Sequence, residues 1–210
     1  MRRKRVDGID KASGMGYIIE KQEVLHPEEK EPPMEIQPVI SHHREFTVIG
    51  YSIVIKAGEG NTKCPEFWNE QYAQRFARLF RTMKPETPEE YAVFDNKIGQ
   101  YAVCRCLKSE GQGDAFEYMI CGEYMGGPVP EGMKLMTIPE SDWAEFSCKG
   151  ALPKSLQDLY DAAYASWLKD HAEYQGLGID IECYTPGNPA APDYECSLII
   201  PVKKVVASLK

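Results

Sequence analysis

The sequence contains no run of about 18 consecutive apolar residues, roughly the shortest stretch that spans a membrane as a helix. The basic start at residues 1–5 is also not followed by the apolar segment that a secretion signal needs. These two absences predict a cytoplasmic protein that has no membrane partner.

The seven cysteines include no Cys-x-x-Cys pair, and the sequence has neither a phosphate-binding loop nor a Ser-His-Asp signature. Cys104 and Cys106 would lie on one face of a strand, but the second ligand pair that a zinc site requires is missing. Most of the cysteines stand between apolar neighbours in strand-like segments. The sequence therefore predicts reduced, buried thiols, no metal site and no cofactor.

The sequence has fewer basic than acidic residues: 24 lysines and arginines against 32 aspartates and glutamates, which gives a formal charge of −8. This excess of negative charge disfavours direct binding to the phosphate backbone of nucleic acids. The same electrostatic field raises the local concentration of positively charged molecules near the protein. An acidic chain of this kind suits cationic partners.

What the sequence does have is enough chain for a hydrophobic core: 210 residues, of which 43% are hydrophobic and 10% aromatic. That length fits one ordinary domain or two small fused halves. Residues 1–35 differ from the rest, because they are charged and end in the polar, proline-containing segment 28–33. We predict an N-terminal extension or linker without a clear DNA-binding module, in which residues 17–19 have the character of a short strand or helix, followed by a main domain at residues 36–210.

Hydrophobic periodicity divides the main domain into strands and two long helices. The first predicted helix has Pro65 at its first position and ends at Lys84, and the second begins at Pro153 and ends near His171. The first strand-like segment, residues 46–55, fits one strand or a pair broken near Gly50. The remaining predicted strands are residues 91–107, 116–124, 133–138, 143–148, 179–184 and 194–202.

The order of these elements is strand, helix, strand, strand, and it occurs twice, with the helices starting roughly 90 residues apart. Strands that outnumber two long helices in this way indicate an α+β fold. We therefore predict two pseudo-repeated strand-helix-strand-strand halves that form a central antiparallel sheet, with two long helices and a pocket between the halves.

The C-terminal half carries the residues of a family resemblance. Those residues are 143–160, Trp167-Leu168, the strand 179–184 with its Asp-Ile-Glu-Cys-Tyr run, Asp193-Tyr194-Glu195 and the closing segment 200–203 with its Pro-Val-Lys run. Across about residues 36–204 the chain resembles the gyrase-inhibitor-like (GyrI-like) effector-binding domain, as found at the C-terminus of AraC-type and MerR-type bacterial transcription regulators. The first half matches mainly in the order of its elements.

The resemblance implies a central pocket that binds bulky, hydrophobic and often cationic small molecules, and it places Glu182 at the floor of that pocket. Period-two alternation on strand 179–184 puts Glu182 on one face together with Asp180 and Tyr184. A carboxylate among apolar groups has its pKa raised by desolvation, and a bound cation offsets that cost. The alternative is that this face of the sheet is solvated and Glu182 is exposed.

Aromatic walls are the second requirement of such a pocket, because a ring face attracts a nearby cation and offers a large apolar contact. The resemblance nominates Tyr194, Tyr118 and Trp68 as ligand-binding residues beside Glu182. Trp143 and Tyr184 are secondary candidates. For each of these rings, packing within the core or across strands is the alternative.

The sequence thus predicts a small-molecule binding protein, acting as a sensor or by sequestering its hydrophobic or cationic ligand. One alternative is a hydrolase that opens reactive, strained rings in natural products, because some relatives of this fold resemble such hydrolases. In this alternative, Glu182 activates water. A second alternative is a protein-interaction role with a regulator or a topoisomerase, as the family name implies. No catalytic residue is assigned on the preferred interpretation.

Overall fold

The computed structural model of the chain describes residues 36–107 and 115–205, so the predicted extension at residues 1–35, with its segment 17–19, lies outside the described residues. In the described part, nine strands form one antiparallel sheet, and two long helices accompany it. The strands are β1 (Val39–His43), β2 (Phe46–Lys56), β3 (Tyr101–Leu107), β4 (Ala115–Glu123), β5 (Lys134–Ile138), β6 (Ser141–Lys149), β7 (Tyr174–Gly176), β8 (Ile179–Tyr184) and β9 (Glu195–Lys204). The predicted α+β class is confirmed.

Each long helix is interrupted by one π-helical turn. The first long helix consists of α1 (Gly60–Gln71), the π-turn Tyr72–Phe76 and α2 (Ala77–Thr82). A short helix, α3 (Pro88–Asp95), follows it. The second long helix consists of α4 (Lys154–Ala162), the π-turn Ala163–Trp167 and α5 (Leu168–Asp170). Such turns are rare and recur at functional sites, and here one occurs in each half.

The sheet order β1-β6-β9-β8-β3-β4-β2-β5 shows how the two halves are built, with β7 pairing to β9. In the first half, β2, the first long helix, β3 and β4 follow one another, and the strands lie in the order β3-β4-β2. In the second half, β6, the second long helix, β8 and β9 repeat this arrangement as β8-β9-β6. The halves join where residues 101–105 of β3 pair with residues 179–183 of β8.

The outermost strands are exchanged between the halves. β1 precedes β2 in the chain but pairs with β6, and β5 precedes β6 but pairs with β2. Each half therefore completes the sheet edge of the other. This exchange couples the two halves through backbone hydrogen bonds in addition to the central β3–β8 pairing.

Both long helices cover the same face of the sheet. Ala102, Glu182 and Leu198 lie side by side on β3, β8 and β9, so their side chains point to one face. Ala102 packs in a core cluster with Phe67 and Phe76 of the first long helix, and Leu198 packs in a second cluster with residues of α4. Tyr184 contacts both clusters. Glu182 therefore lies at the seam between two hydrophobic cores.

Two predicted elements are wrong in part. The predicted strand 91–107 begins as helix α3, because Thr87 and Glu90 form a capping box and Pro88 occupies the first turn. The first long helix begins at Gly60 and not at Pro65, since the amides of Thr62 and Lys63 already donate to the carbonyl of Glu59. The segment around Gly50 is one continuous strand, β2.

Candidate functional site

Glu182 is a buried carboxylate in the middle of the sheet. It lies on β8 between Ala102 of β3 and Leu198 of β9, beneath the two long helices, and only 7% of the residue is exposed. The alternation of β8 that places Asp180, Glu182 and Tyr184 on one face therefore points this face toward the helices. Glu182 is not on a solvated face of the sheet.

Three tyrosine hydroxyls donate hydrogen bonds to the Glu182 carboxylate. The hydroxyl of Tyr118 (β4) lies 2.9 Å from Oε2, and that of Tyr184 (β8) lies 2.5 Å from the same oxygen. The hydroxyl of Tyr160 (α4) lies 3.2 Å from Oε1. Both halves of the fold thus contribute a donor, and both carboxylate oxygens are occupied. We call Glu182 and these three tyrosines the tyrosine–glutamate cluster.

Trp68 of α1 forms a second layer over this cluster. Its indole Nε1 donates to the hydroxyl of Tyr118 at 2.8 Å, and its ring meets the ring of Tyr184 edge-on, with centroids 5.3 Å apart and an interplanar angle of 84°. The thiol of Cys104 lies 3.8 Å from the hydroxyl of Tyr160. The first long helix therefore reaches the cluster through Trp68, and the second reaches it through Tyr160.

The electrostatics of the cluster follow from burial. Desolvation raises the pKa of Glu182, while the hydrogen bonds from Tyr184, Tyr118 and Tyr160 act in the opposite direction without cancelling it. Burial, and then the nearby Glu182 charge, raise the pKa of each of these tyrosines well above its ordinary value, so they remain neutral donors. Among the residues that the structure describes, no lysine, arginine or histidine forms an ion pair with Glu182.

The structure brings together three of the four predicted ligand-binding residues: Glu182, Tyr118 and Trp68. Tyr194 does not donate to Glu182, because its hydroxyl instead donates to the carbonyl of Thr185 at 2.8 Å. It packs in the core cluster of the second half and lines a surface cavity along the loop 185–195. Because Tyr194 directly precedes β9, it lies at the N-terminal end of that strand.

Tyr184 and Trp143, the secondary candidates, have opposite outcomes. Tyr184 belongs to the tyrosine–glutamate cluster, as its shared face with Glu182 indicated. Trp143 packs in a third core cluster, which contains no helical residue, and its ring stacks on His43 with centroids 3.7 Å apart. It takes no part in the cluster around Glu182.

Tyr160 is the member of the tyrosine–glutamate cluster that the sequence did not single out. It lies beside Leu159 on the apolar stripe of α4, and this stripe predicts core packing and not a hydrogen bond to a carboxylate. The only available signal was that a tyrosine facing the core needs a partner for its hydroxyl. The identity of that partner depends on how α4 docks on the sheet, which no local pattern specifies.

Side chains of the seam close off Glu182 from solvent. Two surface cavities of about 390 and 350 Å³ lie away from Glu182, one along the loop 185–195 and one beside α3, where Arg75, Glu89 and Val93 line it. A ligand that contacts Glu182 must therefore displace side chains of the seam. Trp68 and Tyr160 are those that the two helices supply there.

Asp180 is a second acidic group on the face of Glu182. It accepts a hydrogen bond from the hydroxyl of Tyr164 at 2.5 Å, and burial raises its pKa to about 6, with the Glu182 charge contributing in the same direction. The folded state therefore binds a proton on the Asp180 carboxyl group more tightly than the unfolded chain does. Protonation of Asp180 stabilises the fold fully below about pH 4, and this stabilisation is lost as the pH rises through about 6.

We expect Asp180→Asn to raise the free energy of unfolding at pH 7 by about 1 to 2 kcal/mol, since Asn accepts the same hydrogen bond without a charge to desolvate. The difference from the wild type should shrink as the pH falls from 6 to 4. Urea denaturation across this range measures it, with Asp161→Asn on the exposed face of α4 as control. A constant difference between the two proteins at all pH values would contradict the assignment.

In residues 36–107 and 115–205, no group of three or more His, Cys, Asp or Glu side chains is arranged to hold a metal ion. No helix of the same ranges is long and apolar enough to cross a membrane.

Comparison with known proteins relates this site to an effector-binding family. The sequence profile of the family described as "Integron-associated effector binding protein" (Cass2) matches residues 40–202, and this range contains both halves and every residue of the tyrosine–glutamate cluster. No curated protein is significantly similar to the chain in sequence.

Several solved structures share the fold. SAV2435, solved with bound tetraphenylphosphonium, is 19% identical with a TM-score of 0.62, and the match covers 81% of this chain and 94% of that one. The Vibrio cholerae integron cassette protein VCH_CASS2 is 16% identical with a TM-score of 0.55, covering 80% and 97% of the two chains. The C-terminal domain of EcmrR is 16% identical with a TM-score of 0.50, covering 82% and 100%.

At these identities the structural likenesses establish the fold alone, and the profile match establishes the family. The predicted GyrI-like resemblance is confirmed. With 163 matched residues of 210, the chain belongs to the integron-associated effector binding protein family, whose fold is that of the GyrI-like effector-binding domains.

Proposed function

We propose that this protein binds bulky, lipophilic organic cations at the tyrosine–glutamate cluster, in the role of a sensor or a sequestering protein. Glu182 supplies the countercharge, and Trp68, Tyr118 and Tyr184 supply the aromatic walls. The observation that carries the proposal is a carboxylate with 7% exposure that three hydroxyls bond and that no described cationic side chain neutralises.

The free energy of the buried carboxylate favours a cationic ligand. Desolvation makes the charged form of Glu182 costly, as its raised pKa shows. A cation placed next to the carboxylate returns the electrostatic stabilisation that burial removed. A neutral ligand of the same shape fills the same apolar space but brings no such gain. Selectivity for positive charge therefore follows because Glu182 has no ion-pair partner among the described residues.

The aromatic groups favour a cation whose charge is spread over a large, apolar surface. The rings of Trp68 and Tyr184 meet edge-on near the carboxylate, and the ring of Phe67 lies 6.4 Å from that of Tyr118. Ring faces attract cations by about 0.5 to 2 kcal/mol each and bury large apolar area. Tetraphenylphosphonium, the ligand in the SAV2435 structure, has this chemistry and supports the proposal.

The hydrolase alternative needs Glu182 to accept a proton from water. Both of its oxygens already accept tyrosine hydroxyls, and the residue is almost fully buried. The binding role requires no water at this position and is therefore the function that the geometry supports better.

The experiment that tests the proposal compares two nearly isosteric ligands, methyltriphenylphosphonium and neutral triphenylphosphine oxide. We expect the cation to bind at least about tenfold more tightly, a difference of about 1.4 kcal/mol. Isothermal titration calorimetry measures both affinities, and thermal shifts report the same order because a ligand of the folded state raises its apparent stability. Equal affinities would remove Glu182 as a countercharge.

A further inference from the structure

Two cysteines lie directly opposite each other on adjacent strands of the second half. Cys148 of β6 pairs with Cys196 of β9 in the antiparallel register, and their sulfur atoms are 3.1 Å apart. Residues directly opposite in such a pair have Cβ atoms about 4.5 to 5.5 Å apart, close to the distance that a disulfide spans. Closing the bond to about 2.05 Å requires the sulfur atoms to approach by about 1 Å.

We propose that Cys148 and Cys196 form an oxidation site that closes to a reversible cross-strand disulfide, with a peroxide as oxidant. This inference does not rest on the proposed ligand-binding function. It concerns residues that the sequence alone predicted to be reduced, buried thiols, and both are free thiols in the structure.

Cys148 has the features of the attacking thiolate. Its side chain is partly exposed, whereas Cys196 is 5% exposed. The thiol of Cys196 can donate to Cys148, and this bond, together with the nearby Ser155 hydroxyl, lowers the pKa of Cys148 against the effect of burial. Burial raises the pKa of Cys64, Cys121 and Cys183. Thiolate fraction and access together determine the rate of oxidation.

The reaction balances with one peroxide molecule. The Cys148 thiolate attacks one oxygen of hydrogen peroxide and breaks the O–O bond, which gives a sulfenic acid on Cys148 and, after protonation, one water. The Cys196 sulfur then attacks the Cys148 sulfur, and the hydroxyl leaves with the Cys196 proton as a second water. Two thiols are oxidised by two electrons in total, and the peroxide is reduced. A dithiol reductant reverses the step by thiol–disulfide exchange.

Other cysteines of the sheet lack this arrangement. Cys121 of β4 and Cys183 of β8 are separated by β3, because each of them lies opposite Tyr101. Cys106 is exposed near the end of strand β3, opposite Phe116 of β4. The register also places Cys196 opposite Tyr184, so the pair lies one strand away from the tyrosine–glutamate cluster.

The test uses the full chain, reduced, freed of reductant and treated with stoichiometric hydrogen peroxide. We expect two of the seven thiols to be lost in a denaturing thiol titration, with recovery after dithiothreitol. Peptide mapping under non-reducing conditions should recover one cross-linked species that joins the Cys148 and Cys196 peptides. The control Cys106→Ser should still lose two thiols, and Cys148→Ser and Cys196→Ser should form no internal cross-link.

Peptide mapping of the wild type does not depend on whether the variants fold. The proposal is overturned if the wild type forms no cross-link while Cys106 is oxidised. It is equally overturned if the recovered disulfide joins another pair of cysteines or two copies of the chain.

Discussion

Replacing Glu182 with Gln is expected to weaken the binding of methyltriphenylphosphonium by about 10- to 100-fold, or about 1.4 to 2.8 kcal/mol, while the affinity for triphenylphosphine oxide changes by less than about threefold. Gln keeps the size of the side chain and an oxygen that accepts from Tyr118, Tyr160 or Tyr184. The substitution therefore removes the charge and leaves the shape of the cluster. Calorimetry with both ligands separates these two contributions.

Glu117→Gln is the matched control for this result. Glu117 of β4 is also buried, with 8% exposure, but Arg105 forms an ion pair with it at 2.5 Å. Burial raises the pKa of Glu117, yet the hydrogen bonds from Ser52 and Arg105 outweigh this effect and lower it overall. Its charge is already compensated within the protein, so its loss should leave the cation affinity unchanged. Equal weakening by both substitutions would show a general effect of protein charge and would contradict a specific role of Glu182.

The largest expected effect on stability comes from Gly122→Ala. A Cβ atom at this position would lie 1.8 Å from the carbonyl oxygen of Asn96 and 2.8 Å from that of Lys97. Both contacts are with backbone, which cannot rotate away as a side chain does. The end of α3 or strand β4 must therefore shift, and we expect a loss of more than about 3 kcal/mol in the free energy of unfolding.

Gly176→Ala in β7 is the control for a harmless methyl group. Its Cβ would meet only the Cγ2 atom of Ile200, at an ordinary contact distance of 3.7 Å. Chemical denaturation of both variants measures the difference. If the two substitutions cost the same, the tight packing of α3 against β4 is not important for stability.

The face of Glu182 was predictable because strand alternation is a local property. β8 spans the same residues that the sequence indicated, and Tyr184 shares the face of Glu182 two residues later. The helix α3 was also readable in principle, since Thr87, Pro88 and Glu90 form a standard start signal. The apolar run of residues 91–94 favoured a strand instead, but the capping interactions begin a helix there.

Other features depend on contacts between distant parts of the chain. The partner of the Tyr160 hydroxyl lies 22 residues away on β8, and the indole of Trp68 bonds to Tyr118, 50 residues away. The exchange of β1 and β5 between the halves is likewise set by pairing between distant strands. β7, with three residues, is too short to produce a pattern. Periodicity predicts which face a residue occupies, but not which residue meets it there.

The most direct test of Glu182 as the countercharge is the proton released when methyltriphenylphosphonium binds. Because burial raises the pKa of Glu182 in the free protein, a cation that requires the ionised form must expel a proton below that pKa. The affinity should then fall as the pH falls, by up to about tenfold per pH unit, and the number of protons released should approach one.

Calorimetry between about pH 4.5 and 8, in two buffers with different ionisation enthalpies, measures both quantities. In the wild type we expect the cation affinity to fall with falling pH and a proton to be released on binding. Glu182→Gln should show neither effect. Asp180, which also titrates in this range, is retained in that variant and serves as an internal control. A cation affinity that does not depend on pH in the wild type, or the same slope in both proteins, would contradict a role for Glu182 as the countercharge.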